Sequence, residues 1–369
     1  MTNLFDYLEW RGDLSFDASP LNEVDALILS QISYVNLEGI VSSDPHAEGV
    51  PMMDAVRTYL RAHKGEKAYL GKILPPETLT LMVRAAKTRR FGALSLFGYV
   101  NRINQKDQLQ FSAVSFVSSK DRCVLAYRGT DDTLVGWKEN FNMSFMQPVP
   151  AQREAVAYFE RIAEAKTGEL TLCGHSKGGN LAVYAAVKCK KELKSRISAI
   201  YNNDGPGFDR KFIKSTEYKE MKGRIHTLLP QSSVVGLLLE HEEGYEVIRS
   251  TEKGLWQHNA FSWEVLGNRF IHLDTISEES RQIDTAIKDF MKTMKPAERE
   301  KFVDSLYETI MATGAKTLTE LNIEKIKLLK IWGTMDSTTR AHMIKLFGLM
   351  VKQSAKAKST YKKYTIKKK

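Results

Sequence analysis

Apolar positions in the first hundred residues recur near helical spacing. Between Asn22 and Val41 they fall at Val24, Leu27, Ile28, Ile32, Val35 and Ile40, which predicts helix. Met52–His63 and Pro76–Arg90 continue in that style, and Pro75-Pro76 reads as a break and a helix start. The period changes near Gln105. Residues 108–118 alternate, with Leu109, Phe111, Ala113/Val114 and Phe116 apolar. Lys120-Asp121 reads as a turn, Cys123–Tyr127 runs apolar, and together they predict a β-hairpin. A polar loop is expected after Arg128-Gly129-Thr130, then a helix over Arg153–Ala165.

Next come a short apolar run, Glu169–Cys173, and a helix over Gly178–Lys190 with Leu181, Tyr184, Ala185 and Val187 inward. Strands are expected at Ile197–Tyr201, Arg224–Leu229 and Tyr245–Ser250, with a helix at Lys211–Met221. Strand and helix alternating over 105–275 predict an α/β fold with a mostly parallel sheet. From Ser277 the pattern is helical again, at about 278–293, 297–312, 318–333 and 338–353. The expected division is therefore 1–275, with a helical N-terminal part to about residue 100; a helical extension, 276–351; and a tail, 352–369.

Charge sharpens that division. The chain has 369 residues, with 54 Lys and Arg against 44 Asp and Glu. From Ser337 to Lys369 there are ten basic residues and no acidic one, and taking those ten away leaves 44 against 44. A body this balanced is not a broad nucleic-acid-binding surface. The tail, with eight lysines from Lys352 to Lys369, is expected to be disordered and to touch anionic membrane or nucleic acid weakly. Three cysteines make no disulfide framework and suggest a reducing compartment. The start, MTNLFDYLEW, has no secretory pattern, and no run of about 18 apolar residues exists. The expectation is a cytoplasmic protein without a transmembrane segment.

The chemistry centres on Gly174-His175-Ser176-Lys177-Gly178, followed by Gly179. This is G-x-S-x-G between a predicted strand and a predicted helix, the form of a nucleophile elbow. Glycines on both sides let the chain turn sharply, and the serine then stands at a helix N-terminus, where the dipole favours developing negative charge. An oxyanion hole needs two backbone N–H groups. Lys177, after the nucleophile, supplies one; Gly129 or Thr130, after the strand Cys123–Tyr127, supplies the other, with the Thr130 hydroxyl as a further donor.

The order Arg-Gly-Thr, Gly-His-Ser-x-Gly-Gly, then His resembles the class 3 (fungal-type) lipases, a branch of the α/β-hydrolases. It resembles more closely still a bacterial family related to them. The matching pieces are Leu27–Val41, Tyr127–Trp137, Leu172–Ala186, Asn203–Phe208, Ser232–Leu239 and Gln257–Trp263, within residues 1–275. The resemblance implies an α/β-hydrolase fold and serine esterase or lipase chemistry on a small-molecule or lipid ester, with no cofactor.

The base must lie downstream of the serine. His226 falls inside a predicted strand, His272 near the helical region, and His241 among carboxylates in what reads as a solvated loop. His258 lies in Trp256–Phe261, whose large side chains can anchor a loop, and the resembling family has its histidine in a comparable segment. In class 3 lipases the acid follows the strand two after the elbow strand. Here that position falls in Pro230–Val234, where a serine stands instead. Asp204, ending the strand next to the elbow, is the alternative, with Glu240 and Glu243 behind it.

Val234–Leu239 can line an acyl pocket, form a lid or be core, and Trp137, Phe141, Phe145 and Met146 can cover the cleft. His241-Glu242-Glu243 lacks the second histidine of a zinc-protease motif, and neither a metal site nor a phosphate loop is expected. Rival readings are a non-catalytic binding scaffold, and thioesterase or acyltransferase chemistry at the same serine.

Overall fold

The computed structural model describes residues 2–64, 76–118, 122–311, 314, 316–317, 332–333 and 335–344. The Lys120-Asp121 turn, most of the helix expected over 318–333, the second half of that expected over 338–353 and the tail 352–369 lie outside the described residues.

The N-terminal part supplies α1 (Leu4–Arg11), α2 (Glu23–Ile32), the short β1 (Val50–Pro51), α3 (Met52–Ala62), α4 (Glu77–Ala86) and α5 (Arg89–Gly92). Asn3 and Asn22 each accept from backbone N–H groups of the first turn and close capping boxes on α1 and α2. The helix expected to run to Val41 stops at Ile32. There the Ser33 hydroxyl donates to the Ser30 carbonyl, and the chain turns on through Gly39 at φ +72. Val35, Leu37 and Val41 are buried all the same, so the apolar spacing reported burial rather than helix.

The sheet begins earlier than residue 105. β2 (Ser95–Asn104) pairs antiparallel with β3 (Leu109–Val117), which pairs antiparallel with β4 (Cys123–Tyr127). Instead of a polar loop, α6 (Leu134–Asn142) follows, with the Thr133 hydroxyl accepting from the Gly136 N–H as its cap. After α7 (Pro150–Ala165) come β5 (Leu170–His175), α8 (Lys177–Lys188), α9 (Lys191–Lys194) and β6 (Ile197–Asn203). The helix expected over Lys211–Met221 is two, α10 (Arg210–Ile213) and α11 (Thr216–Met221), because Ser215 caps a second start. β7 (Ile225–Pro230), β8 (Glu246–Ile248), the small pair β9 (Val265–Leu266) and β10 (Arg269–Phe270), and β11 (His272–Leu273) complete the strands.

The main sheet has nine strands in the order β1-β2-β3-β4-β5-β6-β7-β8-β11. β4 through β8 run parallel and the outer strands antiparallel. β4 shows how its faces are shared. Val124 and Ala126 join the core under α2 and α4, while Cys123, Leu125 and Tyr127 join the core under α7 and α8. That is the period-two alternation of a strand buried on both faces. The result is an α/β fold whose parallel strand ends all point one way.

The C-terminal extension gives α12 (Glu278–Lys292), α13 (Pro296–Met311) and a helical stretch, 337–344. It docks on α6. Leu134 and Met335 meet Leu306, Tyr307, Ile310, Met311 and Met343, and Lys138 pairs with Asp304 at 2.8 Å beneath the Tyr307 ring. Among the described residues no helix is long and apolar enough to cross a membrane.

Candidate active site

The turn between β5 and α8 carries Ser176 at φ +59, ψ −135, a conformation rare for a residue with a Cβ. The Ser176 N–H is held by the Asn203 carbonyl at 2.9 Å. Close approach explains the flanking glycines. A Cβ on Gly174 would stand 2.1 Å from the Gly178 backbone, and one on Gly178 would stand 2.0 Å from the Tyr127 carbonyl oxygen. Ser176 stands at the N-cap position of α8 without a side-chain cap bond, and the Gly179 N–H bonds its carbonyl at 2.9 Å, so the N–H groups of Lys177 and Gly178 lack helical partners.

β6 lies beside β5, with His175 opposite Asn203, so Ser176 and Asp204 leave adjacent strand ends side by side. Asp204 is also at positive φ, +52, and is fully buried. Its Oδ2 is 2.6 Å from His258 Nδ1. Its Oδ1 accepts from the Ser233 hydroxyl at 2.5 Å and from the Gly236 N–H at 3.2 Å. Ser233 belongs to the segment where the resembling lipases carry their acid. Here it donates to a carboxylate arriving from the neighbouring strand.

His258 ends the 3₁₀ turn Gly254–His258. The expected anchor is only partly the right one. Trp256 is 76 % exposed and anchors nothing, whereas Trp263 is fully buried and donates from Nε1 to the Gln257 carbonyl at 2.8 Å. Gln257, which the sequence marks only as a neighbour of His258, does more. Its side chain accepts from the Ser232 N–H at 2.6 Å and donates to the Glu252 carbonyl at 2.8 Å. His175 reaches across as well, with Nε2 2.9 Å from the His258 carbonyl and ring centroids 4.6 Å apart. Burial, reinforced by the neighbouring His258, holds the His175 ring well below its ordinary value of 6.5. A neutral His175 donates from Nε2 and takes the Tyr34 hydroxyl at Nδ1, 3.3 Å away.

The loop after β4 passes directly under the serine: a Cβ on Gly129 would lie 3.1 Å from Ser176 Cβ and 2.5 Å from the His175 carbonyl oxygen. The Thr130 hydroxyl, expected as a donor into the site, is bonded instead to the Asn140 side-chain amide at 2.7 and 2.9 Å. That leaves the backbone N–H as Thr130's remaining donor. Lys177 was read for its N–H alone, yet its ammonium is buried beneath the loop. It donates to the Gln110 carbonyl (2.7 Å), Gln110 Oε1 (2.5 Å) and Glu139 Oε2 (2.8 Å). Gln110 Nε2 in turn donates to the Gly129 carbonyl at 3.4 Å. A lysine at the first position of a helix whose middle is apolar was the available signal.

Other candidates stand apart. His226 stacks on Tyr201 with centroids 5.0 Å apart. Glu240 lies 3.5 Å from Arg210. His241 is not solvated: its side chain is 6 % exposed and pairs with the buried Glu243 at 3.0 Å. Glu23, Glu246 and His272 form the one group among the described residues spaced for a metal ion, but each ring nitrogen of His272 already faces one of the two carboxylates. In the segment Val234–Leu239, Leu237 is core against Leu229, Val247 and Ile276. Phe141 and Met146 are exposed, while Phe145 packs on Met294, Phe302 and Val303.

The class of the chain is lipase-like. Over residues 85–308 it matches a family related to the class 3 lipases and belongs to that family, the Mbeg1-like proteins. A search of curated proteins gives no match. The family match leaves α1 to α3 and nearly all of α4 outside and takes in α12 and most of α13.

Proposed function

We propose that the protein is a serine hydrolase of the α/β-hydrolase fold that cleaves carboxylic esters through an acyl-enzyme. The reading rests above all on the 2.6 Å contact between His258 Nδ1 and the buried Asp204, on the strand end next to Ser176. A carboxylate on Nδ1 fixes the tautomer and leaves Nε2 to accept the Ser176 proton. Ser176 Oγ then attacks the ester carbonyl carbon, and Asp204 stabilises the imidazolium that forms. The N–H groups of Lys177 and of Thr130 or Gly129 receive the oxyanion. His258 returns its proton to the leaving alcohol as the C–O bond breaks. Water, deprotonated by His258, releases the acid and restores Ser176.

Exposed Phe141 and Met146, beyond the oxyanion loop, favour an ester with an apolar acyl chain. Ser233, the best argument for a dead scaffold, is a donor to Asp204 rather than a substitute for it. Three buried cysteines, none in a disulfide, support a reducing compartment such as the cytoplasm. The test is fluorophosphonate labelling combined with a panel of esters of graded chain length. Wild type should label and turn over, and Ser176→Ala should do neither. Robust labelling of the alanine variant would remove Ser176 as nucleophile. Wild type inert to the probe and to every ester would leave the binding-scaffold reading in its place.

A further inference from the structure

We infer that His241 is a positioning residue for this site, a strut that holds Asp204 in place through Gly236. The inference deepens the hydrolase reading and rests on it only for its kinetic arm. Both ring nitrogens of His241 face acceptors: Nδ1 is 3.0 Å from Glu243 Oε1, and Nε2 is 2.6 Å from the Gly236 carbonyl oxygen. A carbonyl oxygen only accepts, so the ring donates from Nε2 to Gly236.

The far end of the strut is fixed. Glu243 accepts from the Thr227 hydroxyl on β7 at 2.6 Å, from the Tyr218 hydroxyl on α11 and from the Glu242 N–H at 3.0 Å. Burial acts to raise its carboxyl, but the bonds from His241, Thr227 and Tyr218 outweigh that and hold it at about 2. Glu243 is therefore an anion at neutral pH, tied to the sheet and to a helix.

The near end meets the acid. The Gly236 N–H donates to Asp204 Oδ1 at 3.2 Å and to the Ser233 hydroxyl oxygen at 3.1 Å. The backbone presses close, since a Cβ on Gly236 would stand 2.4 Å from Asp204 Oδ1 and 2.3 Å from Leu229 Cδ2. The pinned carbonyl and the donating N–H flank one Cα. Fixing the first sets the point from which the second reaches the carboxylate, at a residue whose own backbone is otherwise the least restrained. With Oδ1 held by Gly236 and Ser233, Oδ2 is aimed at His258.

Two substitutions separate the ends of the strut. In His241→Gln the amide nitrogen stands near the place of Nε2 and keeps the donor to Gly236. In His241→Asn it stands near Nδ1, keeps the contact with Glu243 and loses Gly236. The Asn variant should lose kcat by about 10- to 100-fold with KM little changed, as for a misaligned catalytic group. The Gln variant should recover most of that loss. The downfield N–H resonance of His258 Nδ1, which reports its bond to Asp204, should shift or broaden in the Asn variant and persist in the Gln variant. Wild-type kcat and an unmoved resonance in His241→Asn would overturn the strut. Should that variant not fold, His241→Gln decides: retained kcat and resonance support the proposal, and loss of both overturns it. A wild type without ester turnover, whose His258 resonance still responds to His241→Asn, would sink the hydrolase reading and leave the strut standing.

Discussion

Lys177 shows how much one residue of a short motif can carry beyond its backbone. Its ammonium and the Glu139 carboxylate are 1 % and 0 % exposed. Two charges so buried are costly to desolvate, and each depends on the other together with the surrounding hydrogen bonds. Glu139 also accepts from the N–H groups of Gln110 and Ala151, so the pair ties α8 to β3, α6 and the start of α7. Lys177→Met, which strands the carboxylate, should lower stability by about 3–5 kcal/mol in urea unfolding. Adding Glu139→Leu should restore part of that, because the stranded charge goes with it. If the double variant is no more stable than the single, the lost hydrogen bonds outweigh the stranded charge. The sequence shows the elbow and both neighbours of Ser176, because spacing alone defines them. It does not show that the side chain of Lys177 turns inward, because its partners lie 67 and 38 residues away.

Helix α8 must lie almost against β6 for Asp204 to stand beside Ser176. A Cβ on Gly179 would come within 2.1 Å of Asn202 Oδ1, the same oxygen that accepts from the Gly205 N–H just after Asp204. Gly179→Ala should therefore destabilise by about 1–3 kcal/mol, as overpacking does, and lower kcat as the Asp204 turn shifts. A melt paired with ester turnover checks both, and an unchanged melt would mean that Asn202 yields freely. Other elements were legible in proportion to how local their cause is. The apolar positions Leu109, Phe111, Ala113/Val114 and Phe116 and the apolar run Cys123–Tyr127 marked β3 and β4 directly. Helix α6 was hidden because Leu134, at its start, packs on residues about 170 or more positions later. The overlong helix at 22–41 arose because buried turn residues repeat the spacing of a helix face.

Over the whole molecule, acid should unfold the chain in two stages. His175 is depressed from 6.5 in the fold, so its contribution is present above that pH and is lost progressively below it. Glu243 is depressed from 4.5 to about 2, so its contribution is present above pH 4.5 and drains away as pH falls through about 2. That second stage is on the order of 3 kcal/mol. The urea midpoint should decline gently below pH 6.5 and more steeply below 4.5, and a midpoint level between pH 7 and 3 would contradict both assignments. At this scale the α/β class, the parallel strands and the side-by-side placement of Ser176 and Asp204 could be read from strand–helix alternation. The antiparallel β1–β3 margin and the docking of the C-terminal helices could not, since each depends on contacts between distant segments. The chain order of the site has one more outcome. The loop after β4, Ser176 and Asp204 all lie between residues 128 and 204, whereas His258, with the Trp263 that anchors its turn, comes more than fifty residues later. On the proposed mechanism, a ribosome building this chain therefore completes nucleophile and acid while the base is still unmade. On that proposal the nascent chain stays chemically silent until nearly the whole sheet has been synthesised.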